Sequence, residues 1–459
     1  MNSPPPQDLH LAGAPDVDSP PGPATRRLLE RQRETESSAV LYPNDLPVAF
    51  ERAKGAVLED PDGNRYIDCF AGIGVTNVGH SNPYVVEAVE EQTEELVHTL
   101  DFPSEVRLDL VDRLDDVLPE GLAGNKRVAF GGPTGSDAVE ACMKLAKQVT
   151  GNTGFIAFRG SYHGGTHGAL SLTAEKSDKE GYAPLLPNVQ HLRYPYPYKQ
   201  GIDPEEAVVR SLRDVREVLE DGYGGMVDPA AIFVEPVQGE GGIVYPPDGF
   251  LTGLRNLADE HGVMLVIDEV QAGFGRTGEW FACEHEGVTP DAMPMAKAAG
   301  GIGLPLSMTA YREEFDVWGP GGHSGTFRGY LPGMVACMRA IDYIEDHDLL
   351  AHSRSVGADL LARFTDLAEE TPLLGDVRGR GLYIGLEFVD TLGRPSEEIA
   401  LAVRRAAFRR GVLAWGGGRE ENVVRLIPPL VLTRDQAEHV MVAIEESVRE
   451  VEREHGSGD

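Results

Sequence analysis

Asp268, in the second half of the chain, stands where a side chain can take part in chemistry. It lies near the end of the apolar run VMLVIDEV, which is predicted to be a buried strand. A buried carboxylate needs a partner, because an unpaired charge away from water is unfavourable. Ligands of open α/β sheets bind beyond the carboxyl ends of the strands, where this carboxylate can pair with a protonated pyridine nitrogen. A helix cap or a turn residue is the alternative interpretation.

Lys297 follows Asp268 by 29 residues and lies among small residues in MPMAKAAGGIGLPLS. It is the one lysine between residue 200 and the C-terminus, so a decorative surface role explains it poorly. A neutral lysine amine attacks an aldehyde to form a Schiff base. The alanines and glycines around it leave room for a bulky group. An aspartate followed at this interval by a lysine predicts a covalently held cofactor.

Two segments that follow predicted strands supply further candidates. In GGPTGSDAVEA a helix is predicted to begin near Ser136, and the free N–H groups at its N-terminus favour an anion such as phosphate. Tyr162 follows the predicted strand FIAF, where an aromatic ring can stack on a flat heterocycle. Taken alone, each segment has an ordinary alternative, namely a capped helix and plain packing.

Charged residues near apolar runs form a third group. EPVQGEGG places Glu235 and Glu240 after another predicted strand. Arg425 lies inside the apolar run NVVRLIPPL, where an arginine needs an anion. That anion is either a structural carboxylate or the carboxylate of a substrate.

The elements that position these residues alternate between strand and helix. Apolar strands separated by amphipathic helices predict βαβ units and an α/β fold with a mostly parallel sheet. From about residue 340 the pattern changes to long helices and a strand, typical of a separate α+β domain. The expected parts are a flexible N-terminal arm (1–40), the N-terminal part of a small domain (41–85), a large domain (86–338) and the C-terminal small domain (339–459).

The composition limits the partners of the chain. Its formal net charge of −33 excludes nucleic acid and anionic membranes as favourable partners. Only eight of the 41 basic residues are lysines, a composition typical of salt-loving archaea; an acidic mesophilic protein is the alternative. The four cysteines are far apart in sequence, so we expect free buried thiols and no metal site. Neither a transmembrane stretch nor a signal peptide is predicted, so we expect a cytoplasmic protein.

The motifs also occur together and in a fixed order between about residues 40 and 450. In sequence they are DGNRYIDCFAGIGVTNVGH, GPTGSDAVEA, FRGSYHG, EPVQGEGG, DEVQAGFGRTG, the Lys297 segment, SGTFRG and VVRLIPPL. This set resembles the class III, or ω-amino-acid, aminotransferases. The resemblance implies a fold-type I pyridoxal-phosphate enzyme. Its large domain would hold a mostly parallel seven-stranded sheet flanked by helices, beside a smaller α+β domain.

Individual segments resemble particular subgroups of this class. GPTGSDAVEA, YPYPY, HTLDF and DVWGPGGHSGTFRG look most like diaminobutyrate–2-oxoglutarate aminotransferases, whereas LSLTAEK is also similar to archaeal broad-specificity amino-acid racemases. The resemblance implies ping-pong amino transfer from an ω-amino or diamino acid to an oxo acid such as 2-oxoglutarate. Racemisation or epimerisation of an amino acid is the alternative. It also implies a homodimer or a tetramer of dimers.

The cofactor contacts implied by the resemblance centre on Lys297. It would hold pyridoxal 5′-phosphate as a Schiff base and move the proton between the substrate Cα and the cofactor, while Asp268 would pair with the pyridine nitrogen. The other contacts would come from Gly135 and Ser136 (phosphate), Tyr162 (ring stacking), His163 (beside the ring), Glu235 (support), Gln271 (ring hydroxyl) and Thr326 (phosphate across a dimer interface).

The resemblance also implies substrate contacts, and at one of these positions the chain departs from the class. Arg425 would bind the α-carboxylate, and Glu240 would be its alternative partner. Many class members have an arginine after the Tyr/Phe-His-Gly segment, where it binds a second carboxylate, but this chain has Gly165. The distal carboxylate of 2-oxoglutarate therefore needs another anchor, and Arg328 in SGTFRG is the candidate.

Overall fold

A computed structural model describes residues 9–456 of the chain. Its residues fall into two compact units: one runs from Tyr84 to Asp342, and the other combines the residues before and after that stretch. The boundaries at 85/86 and 338/339 expected from the sequence lie within a few residues of these two positions. Along the described residues no helix has the length and apolar character that crossing a bilayer requires.

The unit from Tyr84 to Asp342 is built on a seven-stranded sheet in the order β4-β10-β9-β8-β7-β5-β6. Strand β10 alone runs antiparallel to its neighbours, and the other strand pairs are parallel. The prediction of a mostly parallel sheet is thus confirmed. The strands are β4 (Lys126–Phe130), β5 (Gly154–Phe158), β6 (Val189–Leu192), β7 (Pro229–Val234), β8 (Met264–Ile267), β9 (Ala292–Met295) and β10 (Met308–Arg312).

Helices cover both faces of this sheet because both faces are apolar. Alternate residues of β5 enter different cores: Ile156 and Phe158 belong to one apolar cluster, Phe155 and Ala157 to the other. The helices are α4 (Pro83–Glu95), α5 (Glu105–Arg113), α6 (Gly135–Thr150), α7 (His167–Leu172), α8 (Pro197–Gln200), α9 (Pro204–Glu220), α10 (Phe250–His261) and α11 (Leu331–Asp346).

The other unit contains two four-stranded sheets, β1-β2-β3-β13 and β11-β12-β15-β14. Strands β2 and β3 form an antiparallel hairpin, and β13 extends the sheet by pairing parallel to β3. The elements are α1 (Pro23–Thr35), α2 (Tyr42–Asp45), β1 (Arg52–Lys54), β2 (Val57–Glu59), β3 (Arg65–Asp68), α3 (Ala71–Gly74), α12 (Leu349–Glu370), β11 (Leu374–Arg380), β12 (Tyr383–Phe388), α13 (Glu397–Arg409), β13 (Val412–Leu413), β14 (Trp415–Gly417), β15 (Val423–Leu426) and α14 (Arg434–Gly456).

Residues 9–40 differ from the flexible arm expected over 1–40. They include helix α1, which buries Leu29, and a backbone bridge joins Asp16 to Arg65 of β3. The imidazole of His10 also accepts a hydrogen bond from the N–H of Ala56 at 3.0 Å. These contacts outweigh the Pro- and Ser-rich composition on which the expectation depended. The first eight residues of the expected arm lie outside the described residues.

The cysteines are buried free thiols, as expected from their spacing. Burial raises the pKa of the Cys337 thiol to about 12, which keeps this side chain protonated and unreactive at neutral pH.

Candidate active site

A cavity of about 180 Å³ opens at the carboxyl ends of the central parallel strands. This is the edge of an α/β sheet at which ligands bind. Most of the polar side chains around it come from segments that directly follow β5, β7, β8 and β9. The residues that line it are Thr134, Gly135, Ser136, Tyr162, His163, Gly164, Glu235, Val237, Glu240, Asp268, Val270, Gln271, Ala272 and Lys297.

Lys297 enters the cavity just beyond β9. Its backbone has φ = +48°, in the left-handed region that side chains other than glycine rarely occupy. A short 3₁₀ turn, Lys297–Gly300, begins at this residue, and Ala298, Ala299 and Gly300 in it are buried. The small buried residues fix the turn, while the lysine itself is only half-buried. The cavity therefore receives the amine from a rigid support.

Asp268 is the residue directly after β8, so the strand ends three residues earlier than the apolar run suggests. Its N–H still bonds the carbonyl of Val234 in β7 at 2.8 Å, which holds the backbone in line with the sheet. One carboxylate oxygen accepts the N–H of Val270 at 3.1 Å, and the other lies 2.7 Å from Nδ1 of His163. The carboxylate that enters the cavity is thus buried and oriented from two sides.

His163 and Glu235 surround this carboxylate with buried titratable groups. Burial lowers the pKa of His163, but its hydrogen bond to Asp268 and that negative charge outweigh burial and raise it. Burial raises the pKa of Glu235 to about 7, although nearby His163 opposes the shift. The two Glu235 oxygens accept the N–H groups of Tyr162 (2.9 Å) and Gly239 (3.0 Å), so Glu235 fixes the backbone of the aromatic residue in the cavity wall.

The N-terminus of α6 forms another wall of the cavity. Asp137 in the first turn accepts the N–H of the N-cap residue Thr134 at 3.0 Å, so the helix begins at Gly135. An added Cβ at Gly164, where φ is +125°, would lie 2.1 Å from Oγ of Ser136, so only glycine fits there. The result is a helix N-terminus approached closely by a second backbone segment, an arrangement that can hold a phosphate.

Gln271 and Glu240 complete the polar lining. The amide of Gln271 donates to the Glu240 carboxylate at 3.1 Å. Sequence reasoning missed the apolar lining residues Val237 and Val270. Each lies two residues after a carboxylate that lines the cavity, Glu235 and Asp268, and extended backbone places side chains at i and i+2 on one side. This spacing was the available signal for both.

The structure places the remaining predicted residues away from this lining. Thr326 lies on an exposed 3₁₀ turn, Thr326–Gly329. Arg328 forms a bidentate pair with Asp101, at 3.1 and 2.8 Å, and is not among the residues that line the Lys297 cavity.

Arg425 lies in the other unit, on β15. Its side chain is fully buried, and its Nε donates to the carbonyl of Gly416 at 2.7 Å. The adjacent strand β14 therefore orients the guanidinium group.

The cavity meets the requirements of one class of cofactor. It combines an amine on a rigid turn, a buried carboxylate, a partly exposed aromatic ring at Tyr162 and a helix N-terminus. An aldehyde with a basic ring nitrogen and a phosphate group needs this set of partners. The fold and the site therefore define a pyridoxal-phosphate-dependent protein.

Comparison with known proteins gives the family. The class-III aminotransferase model matches residues 40–448, and the chain belongs to this family of pyridoxal-phosphate-dependent enzymes. It is 39% identical over 428 residues to a diaminobutyrate–2-oxoglutarate aminotransferase of Rhizobium meliloti (strain 1021), covering 91% of each chain. It is 36% identical over 445 residues to an alanine/serine racemase of Pyrococcus horikoshii, covering 95% of this chain and 92% of the relative.

A solved structure supports the same assignment. The ornithine aminotransferase of Toxoplasma gondii, crystallised with partial occupancy of pyridoxal phosphate at its active site, superposes with a TM-score of 0.82 at 27% identity. The superposition covers 94% of this chain and 96% of that one. The expected fold-type I transferase fold is thus confirmed.

Proposed function

We propose that this protein transfers an amino group from a diamino acid, such as diaminobutyrate, to an oxo acid, such as 2-oxoglutarate. The observation that carries the proposal is the convergence of Lys297, Asp268 and the N-terminus of α6 on one cavity. The choice of substrates is supported by the 39% identity to the diaminobutyrate–2-oxoglutarate aminotransferase of Rhizobium meliloti.

In this proposal Lys297 holds the cofactor covalently and carries the proton during the reaction. When bound, pyridoxal phosphate supplies an electron sink that stabilises negative charge at the carbon next to the substrate nitrogen. Once the substrate amino group has replaced Lys297 on the cofactor, the freed Nζ would carry the proton between that substrate carbon and the cofactor. Asp268 holds the proton on the ring nitrogen, and His163 orients Asp268 through its 2.7 Å contact.

Other residues bind the cofactor. The backbone of Gly135 and Ser136 receives the phosphate at the helix N-terminus, where the dipole favours an anion. Tyr162 stacks on the ring, Gln271 contacts the ring hydroxyl, and Glu235 supports the backbone of Tyr162 by its 2.9 Å hydrogen bond.

Arg425 is proposed to bind the substrate carboxylate. A buried guanidinium group needs an anion, and its planar fork matches a carboxylate. Its orientation by Gly416 supports this role. Arg328 is already engaged with Asp101, so the structure lends no support to a role in binding the distal carboxylate of 2-oxoglutarate.

We propose a homodimer in which Thr326 of one subunit reaches the cofactor phosphate of the other. This proposal is supported by the exposure of Thr326, which lies on a surface turn and is not among the residues that line the Lys297 cavity of its own chain.

The large negative charge supports a salt-adapted enzyme, because salt screens repulsion within such a surface.

The experiment that tests the function is a screen of amino donors with 2-oxoglutarate and with pyruvate. The oxo product and the chirality of every amino acid present are measured together. Diaminobutyrate consumed in step with glutamate formed from 2-oxoglutarate is the expected result. No glutamate with any diamino acid would refute the assignment.

Amino-acid racemisation is the second candidate, favoured by the 36% identity to the alanine/serine racemase of Pyrococcus horikoshii. A racemase exchanges the α-proton and loses chirality without an oxo acid. Incubation of L-alanine and L-serine in D₂O without acceptor separates the two candidates. Deuterium at Cα together with the D-isomer would support racemisation, whereas retained chirality would support amino transfer.

A further inference from the structure

A second cavity adjoins the Lys297 cavity within the unit from Tyr84 to Asp342. Its volume is about 320 Å³, and Tyr162 lines both cavities. A substrate that reacts beside Tyr162 therefore has room to extend its far end into the second cavity. The second cavity is lined by Tyr162, Gly165, His167, Leu170, Asp178 and Tyr182.

Gly165 leaves this cavity without the arginine that the family resemblance would place there. A Cβ added at Gly165 would meet no atom within 4 Å, so packing does not require a glycine at this position. The missing side chain instead changes the charge of the cavity, because no arginine is present to attract a second carboxylate.

Asp178 gives the second cavity its negative charge. Within residues 9–456 its carboxylate makes no hydrogen bond or ion pair. Partial desolvation raises the pKa of Asp178, although the residue remains exposed, and the negative charges of Glu175 and Glu240 raise it further. The neighbouring ammonium of Lys179 contacts the carbonyl of Ser171 at 3.4 Å instead of pairing with Asp178. The carboxylate is thus available to a cation that enters the cavity.

We propose that Asp178 determines donor specificity by binding the ammonium group of a diamino acid that does not react. This inference rests on the proposed amino transfer from a diamino acid. Whichever of the two amino groups is transferred, the other remains a cation. The aromatic walls formed by Tyr162 and Tyr182 suit a cation as well, because the faces of aromatic rings attract positive charge.

The same charge affects the two substrates in opposite ways. A diamino acid presents an ammonium group at its far end, accompanied by the α-carboxylate if the ω-amino group is the one transferred. By contrast, 2-oxoglutarate presents only a second carboxylate there. Removing the negative charge should therefore weaken donor binding and leave acceptor binding unchanged or tighter. A purely structural disturbance of the loop would weaken both.

The test is steady-state kinetics of the full-length enzyme loaded with pyridoxal phosphate, with diaminobutyrate and 2-oxoglutarate both varied. Asp178→Asn should raise KM for diaminobutyrate about fivefold, the loss that corresponds to the roughly 1 kcal/mol of an ion pair at an exposed carboxylate. KM for 2-oxoglutarate should not rise. Asp178→Glu keeps the charge and should recover most of the donor affinity. Glu180→Gln removes an exposed carboxylate from the same loop outside the cavity lining and is the matched control.

The outcomes separate this inference from the function on which it depends. An unchanged donor KM in Asp178→Asn, or an equal rise in both KM values, would overturn the role of Asp178. A parent enzyme that makes no glutamate from diaminobutyrate and 2-oxoglutarate would instead refute the proposed function. If circular dichroism shows that Asp178→Asn does not fold, Asp178→Ser replaces it. The KM values for diaminobutyrate and 2-oxoglutarate are then compared in the same way.

Discussion

The Lys297 cavity and the SGTFRG segment differ in how many of their side chains are buried and held by contacts within one chain. In the cavity, Asp268 and Glu235 are buried and held by hydrogen bonds from the same unit. In the segment, Thr326 is exposed, and Phe327 is 65% exposed although it is a large apolar side chain. The backbone of the segment is nevertheless fixed, since Gly329 accepts the N–H of Thr99 at 3.0 Å.

An ordered segment with exposed apolar side chains indicates a surface that another molecule covers. Leu100 and Phe102, in the segment hydrogen-bonded to it, are also exposed, Phe102 at 70%. The cavity thus owes its geometry to one chain, whereas the exposed apolar side chains of the segment support the proposed contact with a second copy. Changes in the cavity should therefore act on chemistry, and changes in the segment should act through assembly.

The largest expected effect comes from Lys297→Ala. The variant should lose covalent attachment of pyridoxal phosphate and about 10⁴-fold in turnover, because it loses both the attachment point and the proton carrier. Borohydride reduction followed by peptide mass mapping measures the attachment. Lys199→Ala, at an exposed lysine, is the control. A label on any lysine other than Lys297 would contradict the assignment of the site.

Asp268→Asn should lower turnover about 10²-fold, since a neutral amide cannot hold the proton on a ring nitrogen. Stopped-flow measurement of the donor half-reaction checks this. Asp291→Asn removes another buried carboxylate, which pairs with Arg255 at 3.0 Å away from the cavity lining. The control variant Asp291→Asn should lose stability but keep most of its turnover rate. A near-normal rate in a well-folded Asp268→Asn protein would place Asp268 outside the chemistry.

Phe327→Glu tests the other side of the comparison. A charge in the proposed dimer surface should shift the protein towards monomers and lower activity at least about tenfold, because a buried unpaired charge opposes association. Light scattering coupled to size exclusion measures the mass. Leu392→Glu changes an equally exposed apolar residue elsewhere and should leave the mass of the parent. A fully active monomer would rule out a shared site.

The smallest expected effect concerns Glu269, which is buried next to Asp268 but does not line the cavity. Burial raises its pKa to about 7, although hydrogen bonds from the N–H groups of Cys283 and Ala282 lower it. The ordinary pKa of this carboxyl group is 4.5. Between pH 4.5 and about pH 7, Glu269 of the folded chain therefore keeps a proton that the unfolded chain has lost. The stability contributed by this group is therefore full below pH 4.5 and is lost as pH rises through about 7.

Glu269→Gln removes this titration. The fall in Tm from about pH 5 to about pH 8 should become shallower by about 1–3 °C, because the raised pKa corresponds to roughly 1–3 kcal/mol and each kcal/mol shifts the Tm of a chain of this length by about 1 °C. Glu180→Gln serves again as the control and should keep the slope of the parent. An identical slope in Glu269→Gln would show that this carboxyl does not titrate in that range.

The sequence predicted the parts of the fold that depend on local pattern. The apolar run before Asp268 was predicted to be a strand, and the alternation of strands with amphipathic helices elsewhere in the chain implied a mostly parallel sheet. The antiparallel direction of β10 was not predictable, because direction depends on how the chain returns to the sheet. Residues 9–40 were expected to be flexible from their Pro- and Ser-rich composition. That composition does not show which distant groups, such as Arg65, they contact.

The candidate site was predictable to a similar extent. Asp268 stands near the end of a predicted strand, Tyr162 and Ser136 stand a few residues after others, and the sheet brings strand ends together. The hydrogen bond between His163 and Asp268 joins residues 105 positions apart, and no local pattern encodes such a pair. The cavity beside Asp178 is also invisible in the sequence, since its walls come from helix α7 together with the irregular segments before and after it.

The backbone of Lys297 has a consequence for how this protein could change. A left-handed conformation costs a side-chain-bearing residue about 1 kcal/mol that a glycine would not incur. The residue on which the chemistry depends is thus one that selection for robustness alone would replace. Directed evolution for heat tolerance, if activity were left unscreened, would tend to discard this lysine early. The strained turn therefore supports the proposal that Lys297 serves the chemistry of the site and not its stability.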